Sequence, residues 1–124
     1  MKTALQTDQA PPAIGPYSQA VRHGNLIFVS GQLGLGPDGS FAGQDAATQA
    51  RKALENIGAI LGAAGLGFEA VVKCTIFLTD MGDFQAVNEV YREFFTPPYP
   101  ARACVQAAAL PKGGLVEIEA IAAG

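Results

Sequence analysis

Two segments of the chain carry apolar residues at spacings of three and four, the pattern of an amphipathic helix. The first segment runs from Asp45 to Ala64, with Asp45 placed to cap its first turn and Gly65 placed to follow its last. The second runs from Asp83 to Phe95, and Pro97 and Pro98 stop it because proline lacks the N–H that a helix needs. The pattern therefore predicts two helices, each with one apolar face.

Runs of β-branched and aromatic residues predict the strands. Gly24 and Asn25 tolerate positive φ and indicate a tight hairpin between the first two long runs. The predicted strands are Tyr17 to His23, Leu26 to Gln32, Val71 to Thr79, Ala101 to Ala107 and Leu115 to Ile121, with an additional short one near Lys2 to Gln6. This order of elements predicts an α+β fold in which one mixed sheet carries both helices on one face.

Alternation along the last two strands predicts which side chains share a face of the sheet. The set expected to face the helices is apolar: Ala103, Val105, Ala107, Val116, Ile118 and Ala120. The set expected on the opposite face is mixed: Arg102, Cys104, Gln106, Glu117, Glu119 and Ile121. Such a face suits either solvent or an interface that holds a polar pocket. Alternation alone favours the simpler case, an ion pair between Arg102 and Glu117 on a wet surface.

The composition adds a constraint on assembly. The chain has 124 residues, 49% of them hydrophobic and 15% charged, which suits one compact domain over residues 1–124. The charged fraction is low for a domain of this size, because small domains have much surface for their volume. Burial of additional surface in an oligomer would reconcile these facts.

Charge and cysteine usage argue against several functional classes. The net charge is −3 and the eight basic residues are scattered, so nucleic-acid binding has a poor electrostatic basis. No run is long enough to span a membrane, and Met1 to Thr7 lacks the pattern of a signal peptide. Cys74 and Cys104 lie far apart in the sequence and are expected to be free thiols. These features predict a cytoplasmic protein.

Two patterns that could hold a ligand have simpler explanations. Gly34 to Gly39 matches G-x-G-x-x-G, but it opens no helix, and its Pro37-Asp38-Gly39 part is typical of a turn. One histidine, His23, and two separated cysteines do not make a zinc site. We therefore expect no metal and no cofactor.

Several spaced motifs together resemble those of one family. Pro100-Ala101-Arg102-Ala103-Cys104-Val105, followed after a loop by Val116-Glu117-Ile118, resembles the signature of the Rid (YjgF) family. The other matching motifs are Ala13-Ile14-Gly15-Pro16-Tyr17, Val29-Ser30-Gly31-Gln32, Gln49-Ala50-Arg51, Ala63-Ala64-Gly65-Leu66, and Phe84 with Val87-Asn88. The resemblance covers the chain from about Ala10 to about Ala122.

The resemblance implies a fold, an assembly and an activity. The implied fold is a chorismate-mutase-like mixed sheet with two helices on one face. The implied assembly is a homotrimer with three pockets in the clefts between subunits. The implied activity is hydrolysis of reactive 2-imino or enamine acids, 2-iminobutanoate and 2-iminopropanoate, to 2-keto acids and ammonia.

The resemblance also implies roles for individual residues. Arg102 matches the arginine that binds the substrate carboxylate, and Glu117 matches the glutamate that positions water. The implied catalytic residues are Arg102, Glu117 and Tyr17, and the implied substrate-binding residues are Arg102, Cys104, Ser30, Gly31 and Asn88. Ala103 stands at a position that is often serine in the deaminase branch, a departure that bears on the substrate range.

The residue types fit this chemistry to different degrees. The planar guanidinium of Arg102 offers two parallel N–H donors to a carboxylate. Glu117 can aim a water molecule at a protonated imine, which is already electrophilic. Cys104 has no histidine partner near in the sequence, so we expect it to contribute its shape and backbone rather than a nucleophile.

Structural roles remain open for three of the candidates. Tyr17 could be a packed tyrosine with its hydroxyl at the surface. Gly31 could mark a strand bulge as well as a close approach by a ligand. Asn88 could cap or bond a loop.

Two other functions compete with imine hydrolysis. The first is a non-catalytic trimer that binds 2-keto acids or related metabolites, for which an arginine alone would suffice. The presence of Glu117 favours the enzyme. The second is a ribonuclease or translation inhibitor, which the acidic pI of about 4.9 and the lack of a general-base histidine argue against.

Overall fold

A computed structural model describes residues 1–124, which form one six-stranded sheet and two helices. The strands are β1 (Thr3–Leu5), β2 (Ala20–His23), β3 (Leu26–Leu33), β4 (Val71–Leu78), β5 (Ala101–Gln106) and β6 (Val116–Ala123), and the helices are α1 (Ala46–Ala63) and α2 (Phe84–Arg92). The sheet order is β1-β2-β3-β6-β4-β5, and only β4 and β5 run parallel. The predicted α+β class is confirmed.

Helix α1 forms where the periodicity predicted it. The Asp45 carboxylate accepts hydrogen bonds from the Thr48 backbone N–H at 3.0 Å and the Thr48 hydroxyl at 2.7 Å, which satisfies donors of the first turn. Gly65 follows the helix with φ of +75°, a conformation that glycine adopts without strain. The apolar stripe, including Leu54, Ile57 and Leu61, is fully buried. Sequence pattern and burial therefore agree over this whole element.

Two predicted elements are shorter in the structure. Helix α2 begins at Phe84, after a 3-10 turn at Met81–Asp83, and ends at Arg92, before the prolines. Strand β2 begins at Ala20 instead of Tyr17. The residues before it take irregular paths because the buried Gln19 side chain binds the backbone of the N-terminal segment, accepting from Thr7 N–H at 2.8 Å and donating to Pro11 O at 2.7 Å. Tyr17 consequently lies in a loop.

The main core lies between the sheet and the two helices. The predicted apolar set of β6 is buried there, with Val116 and Ile118 at 0% exposure. On β3, which pairs with β6, Ile27 and Val29 are buried on the same side. No helix in the chain is both long and apolar enough to cross a membrane.

The predicted facing of β5 is wrong. Arg102 pairs in register with Cys74 of β4, and Cys104 pairs with Ile76. Cys74 and Ile76 are each 1% exposed in the core beneath the helices, so Arg102, Cys104 and Gln106 share the helix side. The alternating residues Ala103, Val105 and Ala107 therefore cannot be the ones that face the helices. β5 is the edge strand and is largely exposed on both sides, so apolar burial does not decide its orientation.

Candidate functional site

Arg102 projects from β5 onto helix α2, where three side chains hold its guanidinium. Nη1 donates a hydrogen bond to Asn88 Oδ1 at 2.7 Å. The guanidinium carbon lies 4.8 Å from the centre of the Tyr91 ring and 5.6 Å from that of Phe84, both within cation–π range. Spacing along the helix explains this arrangement, because residues three, four and seven apart share one side. The side of α2 that contacts β5 therefore holds Arg102 through two aromatic rings and one side-chain amide.

All three supports of Arg102 are uncharged, and none of the ion pairs within the chain includes it. The contacts hold the guanidinium in place without neutralising its charge. It borders a cavity of about 390 Å³ lined by Asn88, Tyr91, Arg92, Tyr99, Pro100 and Arg102. An anionic ligand entering this cavity would meet a positioned, unpaired cation.

Both cysteines lie on the same side of the sheet as Arg102. Burial raises the pKa of the Cys74 thiol, although the nearby Tyr91 hydroxyl and the charge of Arg102 oppose the shift. Burial also raises the pKa of the Cys104 thiol, again against the charge of Arg102. Both groups are therefore protonated thiols near neutral pH. Since the thiolate is the nucleophilic form, neither is suited to nucleophilic attack.

Replacement of Cys104 tests this conclusion. Cys104 is only partly buried and packs at the edge of the core, so Cys104→Ser removes little apolar contact. If the chain has the imine hydrolysis that its motifs imply, we expect the variant to retain it within about threefold of the parent, because a protonated thiol is a poor nucleophile. The measurement is steady-state imine hydrolysis, with light scattering to confirm an unchanged assembly. Loss of activity in a normally assembled variant would show that the thiol is required.

Glu117 occupies a second cavity, of about 970 Å³, together with Tyr17, Ser30 and Gly31. Gly31 lies directly against it: a Cβ atom built on Gly31 would be 2.9 Å from both Glu117 Cδ and Oε2. The β3–β6 register shifts between Val29 and Gln32, so Gly31 lies in a bulge and also permits this close approach. The strand bulge at Gly31 is therefore confirmed, whereas close approach of a ligand to Gly31 stays a prediction.

The Ser30 side chain is already engaged, because its hydroxyl donates to the Ser18 carbonyl at 2.6 Å. Ser30 thus fixes the bulge to the loop that carries Tyr17. The Tyr17 side chain is 54% exposed at the mouth of the cavity, where it is available to contact a ligand or another subunit.

Glu117 makes no ion pair within the chain, and Glu119 lines the same cavity from the same side of β6. Burial raises the pKa of Glu117, and the nearby charge of Glu119 raises it further. A carboxylate with a raised pKa is a stronger base in its charged form than an ordinary surface glutamate. This environment suits a group that accepts a proton from water.

A family model, curated relatives and solved structures all place similar proteins in the same family. A family model described as Endoribonuclease L-PSP matches residues 7–124. Protein DfrA of Myxococcus xanthus is 55% identical, over 98% of this chain and 95% of its own length. The 2-iminobutanoate/2-iminopropanoate deaminase of Capra hircus is 53% identical, over 98% of this chain and 90% of its own. The crystal structure of E. coli TdcF with bound serine superposes with a TM-score of 0.93 at 47% identity, covering 98% of both chains.

This chain belongs to the Rid (YjgF) family. Its mixed sheet with two helices matches the solved Rid structures, as the sequence motifs predicted. The relatives carry different names, among them DfrA and 2-iminobutanoate/2-iminopropanoate deaminase. Imine deamination is thus an activity within the Rid family, and the substrate of this member has to be argued from its own residues.

The Rid motif residues divide into two groups in this chain. Arg102, Asn88 and Cys104 are on the helix side of the sheet, whereas Tyr17, Ser30, Gly31 and Glu117 line the other cavity. Glu117 pairs in register with Phe77 of β4, while Arg102 pairs with Cys74, an odd number of residues away. Arg102 and Glu117 therefore project from opposite faces, and the surface ion pair considered from alternation is wrong.

Two residues of the Arg102 support were not identified as site residues from the sequence. Phe84 and Tyr91 appear in the sequence as members of the apolar stripe of α2. Their spacing of seven, with Asn88 between them, was the available signal, since these three positions share one side of a helix. What the spacing cannot reveal is that an edge strand brings an arginine to that side.

Proposed function

We propose that this protein hydrolyses small 2-imino acids, such as 2-iminobutanoate and 2-iminopropanoate, to 2-keto acids and ammonia. The observation that carries the proposal is the positioned guanidinium of Arg102, which has no acidic partner in the chain. Relatives about half identical to this chain are named as deaminases of these two compounds, which supports the same chemistry here. Two free cysteines fit a reducing compartment, so we infer a cytoplasmic site of action.

The proposed reaction has two steps. In the first step Arg102 binds the substrate carboxylate. Glu117 accepts a proton from a water molecule while the water oxygen forms a bond to the imine carbon and the C=N double bond becomes a single bond. In the second step Glu117 returns the proton to the nitrogen of the carbinolamine, the C–N bond breaks and ammonia leaves. The hydroxyl group of the intermediate gives its proton to the regenerated Glu117 carboxylate, from which it passes to ammonia, as the C=O bond of the 2-keto acid forms. Tyr17 borders the same space, and the absence of a side chain at Gly31 keeps the Glu117 carboxylate accessible.

We propose that the complete site forms between subunits of a homotrimer. Arg102 and Glu117 face opposite sides of one sheet, so neither can reach a ligand held by the other within one chain. A cyclic, head-to-tail assembly joins two different surfaces of neighbouring subunits and can bring the Arg102 cavity against the Glu117 cavity. The sheet face opposite the helices has exposed apolar side chains, including Phe28 and Val105, that such an assembly would cover.

A coupled assay tests the activity. A threonine dehydratase supplies 2-iminobutanoate, and semicarbazide traps the imine that remains. We expect this protein to reduce semicarbazone formation in proportion to its concentration, because hydrolysis removes the imine first. Semicarbazone formation that is unchanged at stoichiometric protein would contradict the proposal.

Mixed trimers test where the site is. We expect Arg102→Ala and Glu117→Gln to be inactive separately and to regain activity when co-expressed with different affinity tags. If each site takes Arg102 from one subunit and Glu117 from another, random mixing restores about one quarter of all sites and about one third of the sites in doubly tagged trimers. Light scattering checks the trimer mass of the doubly tagged species. Activity no greater than that of the separate variants would contradict a shared site.

A second candidate is a non-catalytic trimer that binds 2-keto acids. The unpaired Arg102 favours binding of a carboxylate whether or not chemistry follows, and one related structure contains bound serine. Tight binding of 2-ketobutanoate without imine hydrolysis would favour this function. The ribonuclease alternative agrees with the description of the matching family model, but the single histidine, His23, lies on β2, away from both cavities, and neither cavity offers a general-base histidine.

A further inference from the structure

The cavity beside Arg102 contains a second arginine that the proposed reaction does not use. Arg92 lines the same cavity, and no aspartate or glutamate is among the lining residues. One substrate carboxylate needs only one guanidinium, and the chain as a whole has a net charge of −3. Two cations without an acid around one small cavity therefore need an explanation.

The contacts of Arg92 leave it available to a ligand. Its only ion pair joins Nε to Glu89 Oε2 at 3.8 Å, which is longer than a hydrogen bond, and its side chain is 57% exposed. A basic residue at the C-terminal end of a helix such as α2 is favourable for the helix dipole. That effect accounts for a positive charge at this position, but not for a side chain that borders the cavity.

The helix spacing places Arg92 beside the group that holds Arg102. Arg102 is bonded to Asn88, and Asn88 and Arg92 are four residues apart on α2. Such positions share one side of a helix with Cβ atoms about 6 Å apart. Tyr99 and Pro100 form part of the wall of the same cavity. Arg92 and Arg102 therefore border one small cavity from neighbouring positions, and a short carbon chain with a carboxylate at each end can contact both cations.

We propose that the site prefers 2-imino and 2-keto dicarboxylic acids, with Arg102 binding the carboxylate next to the imine and Arg92 binding the distal one. The inference rests on the proposed function, since it uses the same cavity. Imino acids of this class arise when an oxidase or dehydrogenase oxidises the Cα–N bond of an acidic amino acid to an imine. A monocarboxylic imine would still bind through Arg102 but would have no acidic group for Arg92 to bind.

The test compares two unreactive ligands, 2-ketoglutarate and 2-ketobutanoate, by calorimetry on the assembled protein. We expect the parent to bind 2-ketoglutarate more tightly by about tenfold or more, the scale of one charge-assisted hydrogen bond. Arg92→Gln should remove this advantage and leave 2-ketobutanoate binding within about twofold of the parent. The control is Lys52→Gln, which removes one positive charge whose contact with Glu55 is also 3.8 Å long. It should leave both affinities unchanged.

Three outcomes would overturn the inference. The first is that the parent binds 2-ketoglutarate no more tightly than 2-ketobutanoate. The second is that Arg92→Gln loses affinity equally for both ligands. The third is that the Lys52→Gln control loses as much affinity for 2-ketoglutarate as Arg92→Gln does. In each case normal binding of 2-ketobutanoate that depends on Arg102 would leave the proposed function standing. Failure of both ligands to bind the parent would overturn the proposed function itself.

Discussion

Replacing Arg102 by alanine is expected to weaken binding of 2-ketobutanoate by about a hundredfold or more, since two charge-assisted hydrogen bonds to the carboxylate are lost. The rate of imine hydrolysis at low substrate should fall by at least the same factor, because the carboxylate is held in both the ground state and the transition state. Calorimetry with 2-ketobutanoate and the coupled imine assay measure the two effects.

Arg102→Lys is the matched control for this change. Lysine retains the charge but not the planar fork or the stacking over Tyr91, so its affinity should fall between those of the parent and of Arg102→Ala. The arginine lies on an exposed edge strand, so both variants should assemble normally. Unaltered binding of 2-ketobutanoate by Arg102→Ala would show that the site is elsewhere.

Replacing Glu117 by glutamine is expected to separate binding from chemistry. The amide keeps the shape of the side chain but cannot accept a proton from water, so imine hydrolysis should fall by about a hundredfold or more. Binding of 2-ketobutanoate should persist or become tighter, because a negative charge near the ligand carboxylate is removed. The same two measurements apply as for Arg102. Hydrolysis at the parent rate would show that this glutamate is structural.

Glu119→Gln is the matched control, on the same strand and facing the same cavity. The charge of Glu119 contributes to the raised pKa of Glu117, so its removal should lower that pKa. In the proposed reaction Glu117 acts in its charged form, so activity should be lost as the pH falls through its pKa. The acid limb of the pH–rate profile should therefore move to lower pH in Glu119→Gln. A shift to higher pH would contradict the assigned role of Glu117 as the base.

Much of this fold could be predicted from the sequence alone. Helix α1 combines a regular apolar stripe with an Asp45 cap and Gly65 at its end, and local rules of this kind do not depend on the rest of the chain. Strand β6 is central in the sheet, between β3 and β4, so its apolar residues have to face the core and its alternation is decisive. The assignment of Glu117 to the face opposite the helices followed from that alternation.

Tertiary structure alone decided the arrangement around Arg102. Alternation along β5 separates Arg102 from Ala103 but does not state which of them faces the helices, and at the edge of the sheet neither side is strongly buried. The pairing of β5 with β4 places Arg102 on the helix side. There its guanidinium stacks on Tyr91 and donates a hydrogen bond to Asn88, contacts that the side chain of Ala103 could not make. The sequence by itself thus determined which residues are available for the proposed binding and hydrolysis. Only the packing of a strand against a distant helix separated Arg102 from Glu117 onto opposite faces.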